Sequence, residues 1–125
     1  MKASSRKLNE SLKRQLKKTF AQVLVDIKSP EEMDQFLSDF LTINEYEIFA
    51  KRLAVSYWLK KGRSYDNIKK NLKVSSATVA AIQNEMKKEG FQKALKTIEA
   101  EEWSNQWAEK IKKFTRRPAS PPNSL

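Results

Sequence analysis

The chain has 125 residues, of which 25 are lysine or arginine and 15 aspartate or glutamate, giving a net charge of +10 with no cysteine and no histidine. That length suits one domain with a modest core. The missing residue types exclude disulfides, Cys/His zinc sites and nucleophilic catalysis by Cys or His. No Gly-rich loop or second polar cluster accompanies the carboxylates, so no enzyme, cofactor or metal site is expected.

Before residue 118 the helix breakers are only Gly62, Gly90 and Pro30, and Lys, Glu, Leu and Ala are abundant, which predicts a nearly all-α helical bundle. The longest apolar runs fall far short of the ~20 residues a membrane span needs. The amino terminus is charged without an apolar h-region, so a cytoplasmic protein is expected.

A flexible basic arm is expected over residues 1–7, followed by a single all-α domain over residues 8–115. The first helix is predicted over residues 5–27, where Leu8, Leu12, Leu16, Phe20, Val23, Leu24 and Ile27 recur at steps of three and four on one face while the other face is basic. Such a helix could lie on an acidic membrane or dock against another subunit. Ser29 caps the second helix, with Pro30 in its first turn and Glu32 placed to return a bond to the cap. Met33, Phe36, Leu37, Phe40 and Leu41 form its apolar stripe. The third helix is predicted to start at Asn44, paired with Glu47, and to run to about Lys61; apolar residues on several sides (Ile48, Phe49, Leu53, Val55, Tyr57, Leu59) predict a central buried position.

Residues 64–88 carry the most informative pattern. Gly62 can end the third helix in a left-handed conformation, and Ser64 can cap the next. Ile68 and Leu72 share a face of that helix, Val74 fills the turn, and Ser75 caps a further helix that points Val79, Ile82 and Met86 inward. Two short helices joined in this way read as a helix-turn-helix. The same spacing also packs any two helices of a bundle. Small outward residues, Ser76, Ala77, Ala80 and Asn84, allow close approach to a major groove about 12 Å wide.

Gly90 is expected to break or kink the chain ahead of a last helix with Phe91, Leu95, Ile98, Trp103, Trp107, Ile111 and Phe114 in its stripe. Trp103 and Trp107 stand one turn apart; nucleic-acid stacking is open to them, but their register favours packing, and dimerisation through the terminal helices would cover them. Residues 116–125 are proline- and serine-rich and are expected to be a disordered tail.

Charge is segregated into blocks of net +6 over residues 1–28, +5 over residues 60–73 and +5 over residues 110–125, separated by acidic stretches. A polyanion is the natural partner of such blocks, because each neutralised phosphate releases counterions.

The arrangement of Thr42-Ile43-Asn44-Glu45, Ala50-Lys51-Arg52-Leu53, Gly62 and Ser76-Ala77-Thr78-Val79 resembles the tryptophan repressor superfamily, most of all its uncharacterised bacterial Trp-repressor-like branch. The resemblance spans residues 20–86. It implies an intertwined homodimer that presents its recognition helices to successive major grooves of double-stranded DNA. Carried over to this chain, the DNA-contacting positions are Lys69 in the first helix of the motif and Ser76, Ala77, Thr78 and Ala80 in the second. Lys69 suits phosphate, Thr78 phosphate or base, and Ala77 a thymine methyl. The interface is extended to Lys70, Lys73, Ser75, Ala81, Gln83, Asn84 and Lys87 as further phosphate or groove contacts. The family's two ligand-holding arginines are matched here to Ala54 and Ala81, which implies that tryptophan is not a corepressor, since its carboxylate would be buried without a cation.

The function expected is that of a homodimeric, nucleoid-associated transcriptional regulator, a repressor that binds double-stranded DNA with full or partial sequence specificity and does not respond to tryptophan. The alternative is a helical interaction module that keeps the fold and binds an acidic protein partner or RNA.

Overall fold

The computed structural model describes residues 6–116. The basic arm through residue 5, the tail from residue 117 and the side chains of Trp103 and Trp107 lie outside the described residues. All regular elements among the described residues are α-helices: α1 (Glu10–Asp26), α2 (Pro30–Phe40), α3 (Ile43–Lys60), α4 (Tyr65–Leu72), α5 (Ser76–Glu85) and α6 (Glu89–Arg116). They divide into two compact units, with the division inside α3 between Phe49 and Ala50.

In the first unit, α1 starts later than its apolar period predicts. The Asn9 side-chain carbonyl accepts from the Ser11 and Leu12 amides at 2.9 and 3.2 Å, so the free amides of the first turn are satisfied there. Ser29 caps α2 by accepting from the Glu32 amide at 3.0 Å, and Pro30 opens its first turn. Phe40 stacks on Phe36 and on Phe20 of α1, with centroids 5.1 and 5.7 Å apart. The start of α3 differs from expectation by two residues. The reciprocal cap is Thr42 with Glu45, not Asn44 with Glu47: the Glu45 carboxylate accepts from the Thr42 amide at 2.8 Å, and the Thr42 hydroxyl from the Glu45 amide at 3.1 Å. Both pairs have the same spacing, and the threonine precedes Ile43, the first helical residue. The bond from the Thr42 amide, and after it the Thr42 hydroxyl, holds the Glu45 carboxyl below its ordinary pKa.

No residue of α1 or α2 is fully buried. Leu12, Leu16, Phe20 and Val23 stay exposed along α1. The expectation of a centrally buried α3 is corrected as well: Ile48, Phe49 and Leu53 are exposed, and only Val55 and Ser56 of this helix are fully buried.

The second unit holds the core. Val55 of α3, Ile68 of α4, and Val79 and Ile82 of α5 form one cluster, with Trp58, Leu59, Leu72 and Val74 packed against it. Full burial of each aliphatic side chain contributes about 1.5–3 kcal/mol as an upper range. Leu95 of α6 is fully buried as well. Gly62 ends α3 with φ +84°, and the two bonds of a Schellman motif follow: Gly62 N–H to the Leu59 carbonyl at 3.0 Å and Arg63 N–H to the Trp58 carbonyl at 3.1 Å. The break before α6 falls at residues 86–88, where the Gln92 side-chain amide donates to the Met86 carbonyl at 2.6 Å. Gly90 lies inside the first turn of α6 and does not break the chain. A helix start tolerates glycine because its amides have no intrahelical acceptor to lose.

Candidate nucleic-acid interface

The helix-turn-helix is built by three local devices. Ser64 accepts from the Asn67 amide at 3.1 Å and starts α4. Lys73 then takes the left-handed conformation, φ 55° and ψ 53°, and ends it. Val74 packs from the turn onto the core, and Ser75 starts α5 by accepting from the Thr78 amide at 3.1 Å. Sequence alone placed Lys73 as a basic residue and Val74 in the turn, but did not show that a lysine bears the left-handed backbone. A non-glycine residue there is strained by contact of its Cβ with the carbonyl that follows, at about 1–2 kcal/mol.

With Val79 and Ile82 of α5 turned inward, the opposite side of that helix presents Ser76, Ala77, Thr78, Ala80, Ala81, Gln83 and Asn84 to solvent, and Lys87 follows beyond its end. On the α4 side Lys70 and Lys73 are exposed and Lys69 is half-buried, and Ser75 is exposed at the turn. Two of these residues carry internal bonds that the sequence did not indicate. The Thr78 hydroxyl shares a hydrogen bond of 2.9 Å with the Ser75 hydroxyl. The Tyr65 hydroxyl at the start of α4 donates to the side-chain carbonyl of Gln83 on α5. Tyr65 was missed as part of this surface. Its position one turn before Lys69 on the same helical stripe was the available signal.

Electrostatics refines the basic block of residues 60–73. Lys60 pairs with Glu99 at 3.3 Å and Lys61 with Glu102 at 3.7 Å, so these two cations are partly offset by α6. Arg63 stacks its guanidinium 4.0 Å from the Trp58 ring centroid. Among the described residues Lys69, Lys70 and Lys73 have no ion-pair partner, which leaves their charge on the exposed side of the motif. The acidic residues that follow α5 are compensated: Glu85 pairs with Lys88, which holds its carboxyl below the ordinary pKa, and Glu89 pairs with Lys93 at 3.3 Å.

Ala54 is half-buried and Ala81 exposed, and neither supplies charge, but Arg52 lies two residues before Ala54 on the same helix. Its guanidinium sits 5.3 Å from the Phe91 ring centroid and also helps to lower the Glu85 pKa. This part of α3 is therefore not without a guanidinium. Among the described residues no group of three or more acidic side chains is placed to hold a metal ion, and no helix is long and apolar enough to cross a membrane.

A family model described as Trp repressor protein matches residues 14–99 of the chain. The uncharacterized protein YerC of Bacillus subtilis (strain 168) is 34% identical over 59 residues, a stretch covering 47% of this chain and 57% of that protein. The matched region thus spans little more than half the length of this curated relative. No solved structure gives a significant match.

Proposed function

The chain belongs to the Trp repressor family, in its uncharacterised branch with YerC, and on that premise we propose that it is a double-stranded DNA-binding transcriptional regulator acting as a homodimeric repressor. The observation that carries this reading is the surface of α4 and α5. Short side chains at Ser76, Ala77 and Ala80 leave room for the floor of the major groove, while Lys69, Lys70 and Lys73 stand beside them without carboxylate partners among the described residues. Thr78, Gln83, Asn84 and Lys87 supply the hydrogen-bonding groups, and Ser75 and Ala81 complete the face.

Homodimerisation is supported by apolar side chains that are exposed among the described residues: Leu12, Leu16, Phe20 and Val23 on α1, and Ile48 and Phe49 on α3. Two copies related by a two-fold axis would place their α5 helices one duplex turn apart. Tryptophan is not a corepressor in this reading. Ala81 offers only a methyl group at its position, and Arg52 is already engaged over Phe91.

Mobility-shift titration of the full chain against mixed-sequence duplexes at ~50 mM salt tests the proposal, with a repeat at ~200 mM. Binding that weakens steeply with salt supports it. No binding to any duplex, or affinity indifferent to salt, refutes it. A stoichiometric protein partner co-purifying without nucleic acid would favour the interaction-module reading instead.

A further inference from the structure

Ser76, Ala80 and Gln83 follow one another at helical spacing along one side of the recognition helix, and Lys87 follows beyond its end. In that stripe Gln83 is the first side chain long enough to reach a base edge past its small neighbours. It is also tethered. The Tyr65 hydroxyl donates to the Gln83 side-chain carbonyl across eighteen residues, linking the first turn of α4 to the last turn of α5. The Gln83 side-chain NH2 has no partner among the described residues.

A free glutamine pairs bidentately with adenine, donating to N7 and accepting from the N6 amino group with its carbonyl. Here one of the two lone pairs of that carbonyl is taken by Tyr65, and the bond fixes the amide plane and makes the carbonyl a poorer acceptor for the adenine amino group. The pair of donor hydrogens stays fully on offer. Guanine presents two acceptors, N7 and O6, on its major-groove edge, and needs no acceptor from the protein.

We propose that Tyr65 is a positioning residue that holds the Gln83 amide as a hydrogen-bond donor, so that the chain favours guanine over adenine at the base pair Gln83 reaches in each half-site. This rests on the DNA-binding reading above. Tyr65 and Gln83 are both exposed, so neither side chain belongs to the core that holds the motif together.

The test is selection of bound sequences from random duplex DNA with the full chain, followed by titration of matched duplexes differing at one base pair. Four proteins are compared: wild type, Tyr65→Phe, Gln83→Ala and the double variant. Gln83→Ala should flatten the preference at one position per half-site, where wild type favours G·C. Tyr65→Phe should move that preference toward A·T by about tenfold, the scale of one bidentate contact. In the Gln83→Ala background Tyr65→Phe should have no effect on preference, which a merely structural tyrosine would not produce. The inference is overturned if wild type favours A·T there, if Tyr65→Phe weakens both duplexes equally, or if the two substitutions act additively. Those results leave DNA binding standing, whereas a wild-type chain that binds no duplex removes both conclusions.

Discussion

Replacing Lys73 by glycine separates its backbone strain from the phosphate contact proposed for it. Its backbone is left-handed, with φ 55° and ψ 53°, in the turn between α4 and α5. The strain of a side chain in that conformation is about 1–2 kcal/mol. Glycine removes it but loses more backbone freedom on folding, at about 0.5–1 kcal/mol relative to alanine. The balance predicts that Lys73→Gly stabilises the fold by about 0.5–1 kcal/mol, a rise of several degrees in Tm for a domain near 100 residues. The same change deletes a cation that has no carboxylate partner among the described residues and stands beside the recognition helix. Loss of one phosphate contact should lower the slope of log affinity against log salt by about 0.9. Stability and DNA affinity therefore move in opposite directions. Thermal unfolding at one fixed protein concentration and mobility-shift titration across salt concentrations measure the two effects. Lys73→Ala serves as the control: it removes the charge but keeps the left-handed strain, so its affinity should fall without a gain in Tm. The reasoning fails if Lys73→Gly melts below wild type, or if Lys73→Ala gains as much stability as the glycine variant.

Ser75→Ala removes the side-chain acceptor that caps the recognition helix at the Thr78 amide, and should cost about 1 kcal/mol in denaturant unfolding. Leu16→Glu places a charge in the exposed apolar stripe of α1, and sedimentation equilibrium should show a dimer reduced to monomer; an unchanged mass would place the subunit contact elsewhere. L-tryptophan at ~1 mM should leave duplex affinity unchanged and give no binding heat, a concentration at which even a weak site with Kd near 1 mM is half filled. Tyr46 donates to the Asp34 carboxylate at 2.8 Å, and that bond raises the phenol pKa above its ordinary value. A raised pKa favours the protonated form in the folded chain, so this contribution to stability is present below the unfolded tyrosine pKa and is lost as pH rises through the folded one. Ultraviolet titration should place the Tyr46 midpoint above that of free tyrosine, and Asp34→Asn should bring it down.

The caps were legible because a cap is a local event. Gly62, Ser64 and Ser75 each act on residues within five positions of themselves, and the hydrogen bonds that end α3 and start α4 and α5 follow from those residue types. Local reading failed where two candidates shared one spacing, as at Thr42 with Glu45 against Asn44 with Glu47. It also failed at Gly90, where propensity suggested a break that a first helical turn does not require. The inward set Ile68, Val79 and Ile82 was readable from periodicity, but the exposure of Ile48 and Phe49 was not. A period states which residues share a face and is silent on whether anything covers that face.

From the amino acids alone came the all-α class, the helix-turn-helix and its small outward surface, because backbone propensity, capping and periodicity are properties of a few neighbouring residues. Which charges of the basic block remain unpaired was decided by tertiary structure, since Glu99 and Glu102 reach Lys60 and Lys61 from α6, some forty residues along the chain. The same holds for Gln83. Its amide is committed by Tyr65 only because folding brings the first turn of α4 against the last turn of α5, and no pattern in the sequence specifies that meeting.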